Sequence, residues 1–212
     1  MELDPEIHAH GHKVGHHWID IALALSALIL SICSMTIAIR NETEMKRLVT
    51  ANSWPYIELQ HGNARDGERI LHFDARNAGI GPATLEKLVV TYRDRPVHSA
   101  QELLAMCCQV KPDDSVTLEL NGIEGRVFAA RELVTFLAFP KVSTNEPYWD
   151  RLDDERFNVD MAACYGSVFD DHWITRLTTP KPVKVSSCDE LQGDAFQPNP
   201  YAAKKPQAAT AP

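Results

Sequence analysis

Apolar residues run almost unbroken from Ile19 to Ile39, bounded by Trp18 and Arg40. Asp20 is the one charge inside that run, and it sits at the edge. About 20 apolar residues match a hydrocarbon core of about 30 Å. Trp18 is the amphipathic ring favoured at headgroup level, where Asp20 can also remain. The pattern predicts a transmembrane helix over residues 18–40, with the lipid bilayer as its partner. A cleaved signal peptide fits less well, because its apolar stretch is usually about 7–15 residues and follows a more basic flank than Lys13. A core helix of a soluble protein rarely lacks a polar face over such a length.

The helical pattern continues past the span. Residues 41–53 lack Gly and Pro, and Met45, Leu48 and Val49 fall near the face of Ile39. Glu42 and Lys46 form an i,i+4 pair in the favourable order. Pro55 disfavours an α conformation at Trp54 and ends the helix. Residues 41–53 are therefore expected to form a helical stalk, and a continuous helix from Trp18 to Ala51 is about 50 Å long. Small residues at four-residue spacing (Ala22 and Ser26, Ala27 and Ser31, Ser34 and Ala38) offer a homodimer seam through anchor and stalk. Ala and Ser are also simply common in anchors. Counting Lys and Arg, one lies before the span (Lys13) and three after it (Arg40, Lys46, Arg47). The positive-inside rule then assigns the C-terminal side to the cytoplasm, by a margin of two charges.

Beyond residue 53 the period changes. Short apolar runs recur between turn signals: 56–60, 70–76, 85–92, 116–120, 133–139, 157–165 and 172–177. Val116, Leu118 and Leu120 alternate with Thr117 and Glu119, the period of a half-buried strand. Residues 99–108 read as one short helix, with Ser99 and Glu102 spaced as a capping box. The expected fold is mainly β: an N-terminal transmembrane helix and short helical stalk, then an antiparallel β-sandwich with one short helix over residues 54–191. Residues 1–17 read as a flexible His-rich arm. Residues 192–212, with four Pro and six Ala, read as a disordered tail unable to join a core.

Composition narrows the function. Apolar residues are 44% and charged residues 24% of 212, enough for a core. The net charge of −8 argues against general nucleic-acid binding, which needs a basic face. The run Asn77–Ala83 (NAGIGPA) reads as a wide turn in which Gly79 and Gly81 permit backbone angles closed to other residues. It is no phosphate loop, having no third Gly and no Gly-Lys-Ser/Thr.

A span ending in Arg, then Ser53-Trp54-Pro55-Tyr56, then Asn77-x-Gly79-x-Gly81-Pro82-Ala83, resembles a group of uncharacterised bacterial single-pass membrane proteins. The segment 164–173 (CYGSVFDDHW) is similar to one in the same group. The resemblance implies a bacterial inner-membrane protein and supplies no catalytic residues.

The candidate chemistry is sparse. His8, His10, His12, His16 and His17 lie within ten positions and could offer two or three imidazoles to Zn²⁺, Ni²⁺ or Cu²⁺. A solvated polar arm, or one partly protonated beside the membrane, explains them without a metal. Cys164 and Cys188 are the disulfide candidates if the domain faces the periplasm. A bond between adjacent Cys107 and Cys108 would close a strained ring. In the cytoplasm all would be buried thiols. The acidic clusters Asp113-Asp114, Asp153-Asp154-Glu155 and Asp170-Asp171 have no spacing that makes them converge, and Asp170, Asp171 and His172 could ligate a metal or sit in a turn. No Gly-x-Ser-x-Gly or His-Glu-x-x-His pattern occurs. No catalytic residue and no cofactor are assigned. The reading is a membrane-anchored binding or scaffolding protein with a protein partner. Two alternatives stay open: a metal-responsive protein using the His arm, and an envelope enzyme with no recognisable motif.

Overall fold

The structure, a computed structural model, describes residues 17–198. It divides into two compact units at Val49/Thr50. The first is built on helix α1, His17–Asn52, which is continuous through the apolar span and the polar segment after it. Its most apolar 18-residue window has a mean hydropathy of 2.3, and none of that window is buried. The helix is long and apolar enough to cross a membrane. The Glu42–Lys46 pair forms at 2.6 Å on its exposed surface.

The second unit is mainly β. One antiparallel sheet has four strands in the order β1 (Ile57–Gly62), β2 (Ile70–Asn77), β7 (Leu133–Pro140), β5 (Glu119–Leu120). The other runs β10 (Thr179–Val185), β9 (His172–Arg176), β8 (Val159–Gly166), β3 (Ala83–Tyr92), β4 (Arg95–Val97), with β6 (Arg126–Phe128) also paired to β3. Both sheets contribute to one apolar cluster: Ile57, Leu71 and Phe73 from the first, and Leu85, Leu88, Met161 and Tyr165 from the second.

Strand β8 is buried along nearly its whole length, and its alternation divides two apolar faces. Met161, Ala163 and Tyr165 enter the main cluster. Ala162 and Cys164 enter a smaller one with Val89 and Leu191. The 3-10 turn Cys188–Glu190 lies on that second face. Such a strand reads as a continuous hydrophobic run because both of its faces are covered.

Two helices accompany the sheets where one was expected. Helix α2, Ala100–Cys108, has Ser99 as its N-cap, accepting from the Glu102 amide at 3.2 Å. Glu102 reaches one residue further back than a capping box requires, accepting from the His98 amide at 2.7 Å. Helix α3, Glu146–Glu155, has no counterpart in the sequence reading. Only Trp149 and Leu152 of its ten residues are buried. An apolar face of two residues at i,i+3 is too narrow to stand out from an acidic loop.

Other expectations need correction. Strands β4, β6 and β10 were not foreseen. The first two have three residues each, and Pro182 in β10 argues against a strand except at a sheet edge, where β10 lies. The run 116–120 forms ladder bonds only at Glu119 and Leu120, although Val116, Leu118 and Leu120 pack on the core. Residues 192–198, assigned to the tail, join the domain. Phe196 is buried in the main cluster, and its amide donates to the Leu88 carbonyl at 2.7 Å. Residues 1–16 and 199–212 lie outside the described residues.

The turn between β2 and β3 carries the chain from one sheet to the other, and it is built on buried Asn77. The Asn77 Oδ1 accepts from the Tyr56 and Gly79 amides at 3.2 and 3.0 Å. Its Nδ2 donates to the carbonyls of Gly81, Phe128 and Ala129 at 2.8, 3.3 and 3.1 Å. Trp54 O accepts from the amides of Ile80 and Gly81 at 3.1 and 3.2 Å. The two glycines serve close approach, not unusual backbone angles: neither has a positive φ. A Cβ on Gly81 would fall 1.9 Å from Ser53 O, and one on Gly79 would fall 2.5 Å from Trp54 O.

Replacing Asn77 by Ala removes a buried side-chain partner from two amides and three carbonyls at once. We expect Asn77→Ala to cost about 3 kcal/mol or more. The measurement is denaturant unfolding of the full chain in detergent, followed by tryptophan fluorescence. A loss within about 0.5 kcal/mol, the size of an ordinary surface change, would show that this junction does not hold the domain.

Candidate functional site

The candidate residues from the sequence do not converge. His8, His10, His12 and His16 lie outside the described residues, and His17 begins α1. Among the described residues, no three His, Cys, Asp or Glu side chains lie close enough to hold a metal ion. The acidic clusters are each tied locally. Asp114 accepts from the Lys111 amide at 2.7 Å and the Tyr148 hydroxyl at 2.8 Å. Asp153 accepts from Asn63 and pairs with Arg156. Asp170 sits in a turn at φ 59°. Asp171 pairs with Lys184 at 2.6 Å, while His172 turns instead to Glu86 at 3.0 Å.

The four cysteines of the second unit form two bonds in this structure. Cys164 on β8 is joined to Cys188 beside the second apolar face. Cys107 and Cys108, whose pairing the ring argument set aside, are joined to each other at the end of α2. Cys33 is free and exposed on α1.

Two polar constellations stand out. The first centres on Asp74 in β2, whose carboxylate is fully buried. It accepts from Arg65 Nη2 at 3.0 Å to both oxygens, from Gln60 at 3.2 Å, and from His72 Nδ1 at 2.9 Å. Arg65 also donates to the Thr135 hydroxyl at 2.7 Å. A Cβ at Gly62 would meet His72 Nε2 at 2.5 Å, so glycine at that position leaves room for the imidazole. A His–Asp pair is half of a nucleophile-activating relay. Here the carboxylate is saturated by three residues of the first sheet and its hairpin loop, and neither a thiol nor a serine hydroxyl is among its partners. The arrangement pins the β1–β2 loop onto the sheet. Nearby His61 is packed against Phe73 and Phe157, and its Nδ1 is buried without a partner.

The second constellation is a cleft of about 260 Å³ between the tip of the β3–β4 hairpin and the C-terminal halves of α2 and α3. Met106 and Cys107 supply its apolar wall, and Arg93, Arg95, Arg151, Tyr92 and Glu155 supply the rest. The hairpin turns through Arg93 and Asp94, both with positive φ, 50° and 62°. Two-residue hairpins with both central residues in that region normally use Asn-Gly or Asp-Gly. Arg-Asp holds this geometry at some local cost, with the Arg93 amide donating to Asn158 O at 2.9 Å. Glu155 accepts from the Tyr92 hydroxyl at 2.6 Å, from Asn158 at 2.9 Å, and from Arg93 at 2.8 and 2.9 Å. The Tyr92 and Asn158 hydrogen bonds hold its carboxyl below the usual range, so it is ionised and offsets one arginine. The side chains of Arg95 and Arg151 have neither a hydrogen bond nor an ion pair among the described residues.

Two other hollows carry paired charges. One of about 330 Å³ beside α2 carries Lys111 next to Asp114. Another of about 430 Å³ is lined by Arg69 and Lys141, which lie over the Trp149 ring at 4.3 and 4.7 Å and pair with Asp150. The arginine cleft was not foreseen from the sequence. The run Tyr92-Arg93-Asp94-Arg95 between apolar stretches carried a hairpin signal, but Arg151 lies 56 positions beyond Arg95 on the helix that went unrecognised. Comparison of the chain with protein-family models, with characterised proteins and with solved structures returned no match.

His61 gives the domain a pH response. Burial, followed by the charges of Arg156 and His72, lowers its pKa below 6.5. The unfolded chain therefore takes up a proton that the folded one resists, and stability falls as pH drops below about 6.5. Exposed His98 acts the other way, because hydrogen bonds to Glu102 and Asp194 raise its pKa and favour the folded state in acid. We expect His61→Gln to reduce the loss of thermal stability between pH 7.5 and 5.5, measured on the full chain in detergent. An unchanged slope would remove His61 as its source.

Proposed function

We propose that the protein is a single-pass protein of a bacterial inner membrane that displays a β-sandwich on a helical stalk and works as a binding or scaffolding module. The observation that carries this reading is α1, a 36-residue helix with no buried residue. Burying about 20 apolar side chains in lipid covers the run of exposed apolar residues along this helix. The sandwich arrangement is supported by the apolar cluster that both sheets share. The inner-membrane assignment rests on the resemblance carried by Ser53–Tyr56, Asn77–Ala83 and the segment 164–173. The partner is a protein or a ligand met by the domain, and the bilayer is met by residues 18–40.

The side of the membrane is weighed from two opposed observations. The Lys and Arg count favours a cytoplasmic domain by two charges. The pairing of all four cysteines of the domain favours an oxidising compartment, since structural disulfides are rare in the cytosol. Four paired cysteines outweigh a margin of two charges, and we take the periplasmic side.

Alkaline carbonate extraction of membranes, with intact-mass determination of the extracted chain, tests the anchor. The chain is expected in the carbonate-resistant pellet with residues 18–40 still attached. Release into the supernatant, or a mass lacking those residues, would replace the anchor by a peripheral protein or a cleaved signal sequence.

A further inference from the structure

The arginine cleft has more positive charge than its own structure uses. The second unit is acidic, with 15 basic and 22 acidic side chains over residues 54–191. Acidic domains solvate their cations by pairing them, and this one does so at Lys141, Arg126, Lys184 and Arg65. Three arginines nonetheless line one hollow with a single carboxylate, Glu155, whose oxygens are already engaged by Tyr92, Arg93 and Asn158. The formal balance in the cleft is two positive charges.

The backbone fixes where these side chains start from. Arg93 is held with φ at 50°, in a turn that a glycine-containing pair would form more easily. Residues kept in sparsely populated backbone regions concentrate at binding sites. The turn keeps Arg93 and Arg95 on either side of the Asp94 corner, and α3 supplies Arg151 from the facing element. Arg93 is anchored through Glu155, which leaves Arg95 and Arg151 as the two free guanidinium forks.

We propose that this cleft binds a phosphate dianion, either free or as a phosphomonoester. A carboxylate is satisfied by one bidentate arginine and carries one charge. A phosphate monoester carries up to two charges and three acceptor oxygens on one centre. That matches two unpaired guanidinium groups and a net charge of two. The volume of about 260 Å³ admits a phosphate group with part of an ester substituent, and Met106 and Cys107 give the ester side an apolar wall. Guanidinium suits the task better than ammonium because its planar fork meets two phosphate oxygens at once. The proposal rests on the reading of the domain as a binding module and is independent of which membrane, or which side of it, the anchor occupies.

The test is isothermal titration of the full chain in a neutral detergent. The probes are inorganic phosphate, dihexanoyl phosphatidic acid and dihexanoyl phosphatidylcholine, with sodium chloride at matched ionic strength as the blank. Inorganic phosphate is expected to bind, and Arg95→Ala with Arg151→Ala to weaken it by about tenfold or more. Both arginines are exposed, so the double variant keeps the wild-type circular dichroism spectrum. Arg76→Ala, an exposed arginine on β2, keeps the wild-type affinity. Phosphatidic acid binding more tightly than phosphate, with phosphatidylcholine inert, supports the proposal and identifies the source as a headgroup. Phosphate binding as tightly as phosphatidic acid supports it with a free anion as the source. Heats no larger than those of chloride overturn the proposal. An affinity unchanged in the double variant, or lowered equally by Arg76→Ala, overturns it too.

Discussion

The carboxamide of Asn77 is buried and uses both of its ends. It bonds the residues that follow α1, the turn between the two sheets, and the loop between β6 and β7. Burial makes those side-chain bonds costly to lose, although the Ala129 carbonyl also accepts from the Glu132 amide at 3.1 Å. Gly79 and Gly81 let Ser53, Trp54 and Pro55 lie directly against the turn, closer than any Cβ permits. The two short motifs of the sequence, Ser53–Tyr56 and Asn77–Ala83, are thus halves of one contact. The register of β1 on β2, in which Ile57 pairs with Asn77, starts from it.

The sheets extend that constraint in different ways. The second sheet is centred on β3 and β8, which are covered on both faces. The main core takes one face, and a smaller cluster closed by Leu191 and the Cys164–Cys188 bond takes the other. The first sheet buries charge instead. Asp74, Arg65, His72 and Gln60 satisfy one another under the β1–β2 loop. Such a network favours one arrangement of the loop, because losing Arg65 leaves the buried Asp74 carboxylate without its counter-charge.

Much of this was legible in the sequence where the signal is local. The apolar span needs only length and composition. Strands β2, β3 and β7 needed only short apolar runs between turns, and α2 carried its cap at Ser99. What stayed hidden depends on distant residues. Helix α3 shows two apolar residues to the core and was masked by its carboxylates. Phe196 lies in a segment rich in proline and alanine, yet it packs on Phe136, 60 positions earlier, with ring centroids 6.0 Å apart. The roles of Gly79 and Gly81 were assigned to backbone freedom, whereas the cause is contact with residues more than 20 positions before them. The arginine cleft combines a hairpin tip with α3, so it needed the fold before it could be seen.

These features fit a domain whose interior is pinned by polar contacts and whose distinctive chemistry is displayed at one hairpin. Helix α1 is long and apolar enough to cross a membrane, and the four cysteines of the domain are paired. The most direct measurement is a pair of C-terminal fusions in bacterial cells, one to alkaline phosphatase and one to a fluorescent protein that matures only in the cytoplasm. Membrane-bound phosphatase activity without fluorescence is the predicted result, and it requires both an uncleaved span and an exported domain. Fluorescence without phosphatase activity would contradict it and return the four cysteines to a reducing compartment.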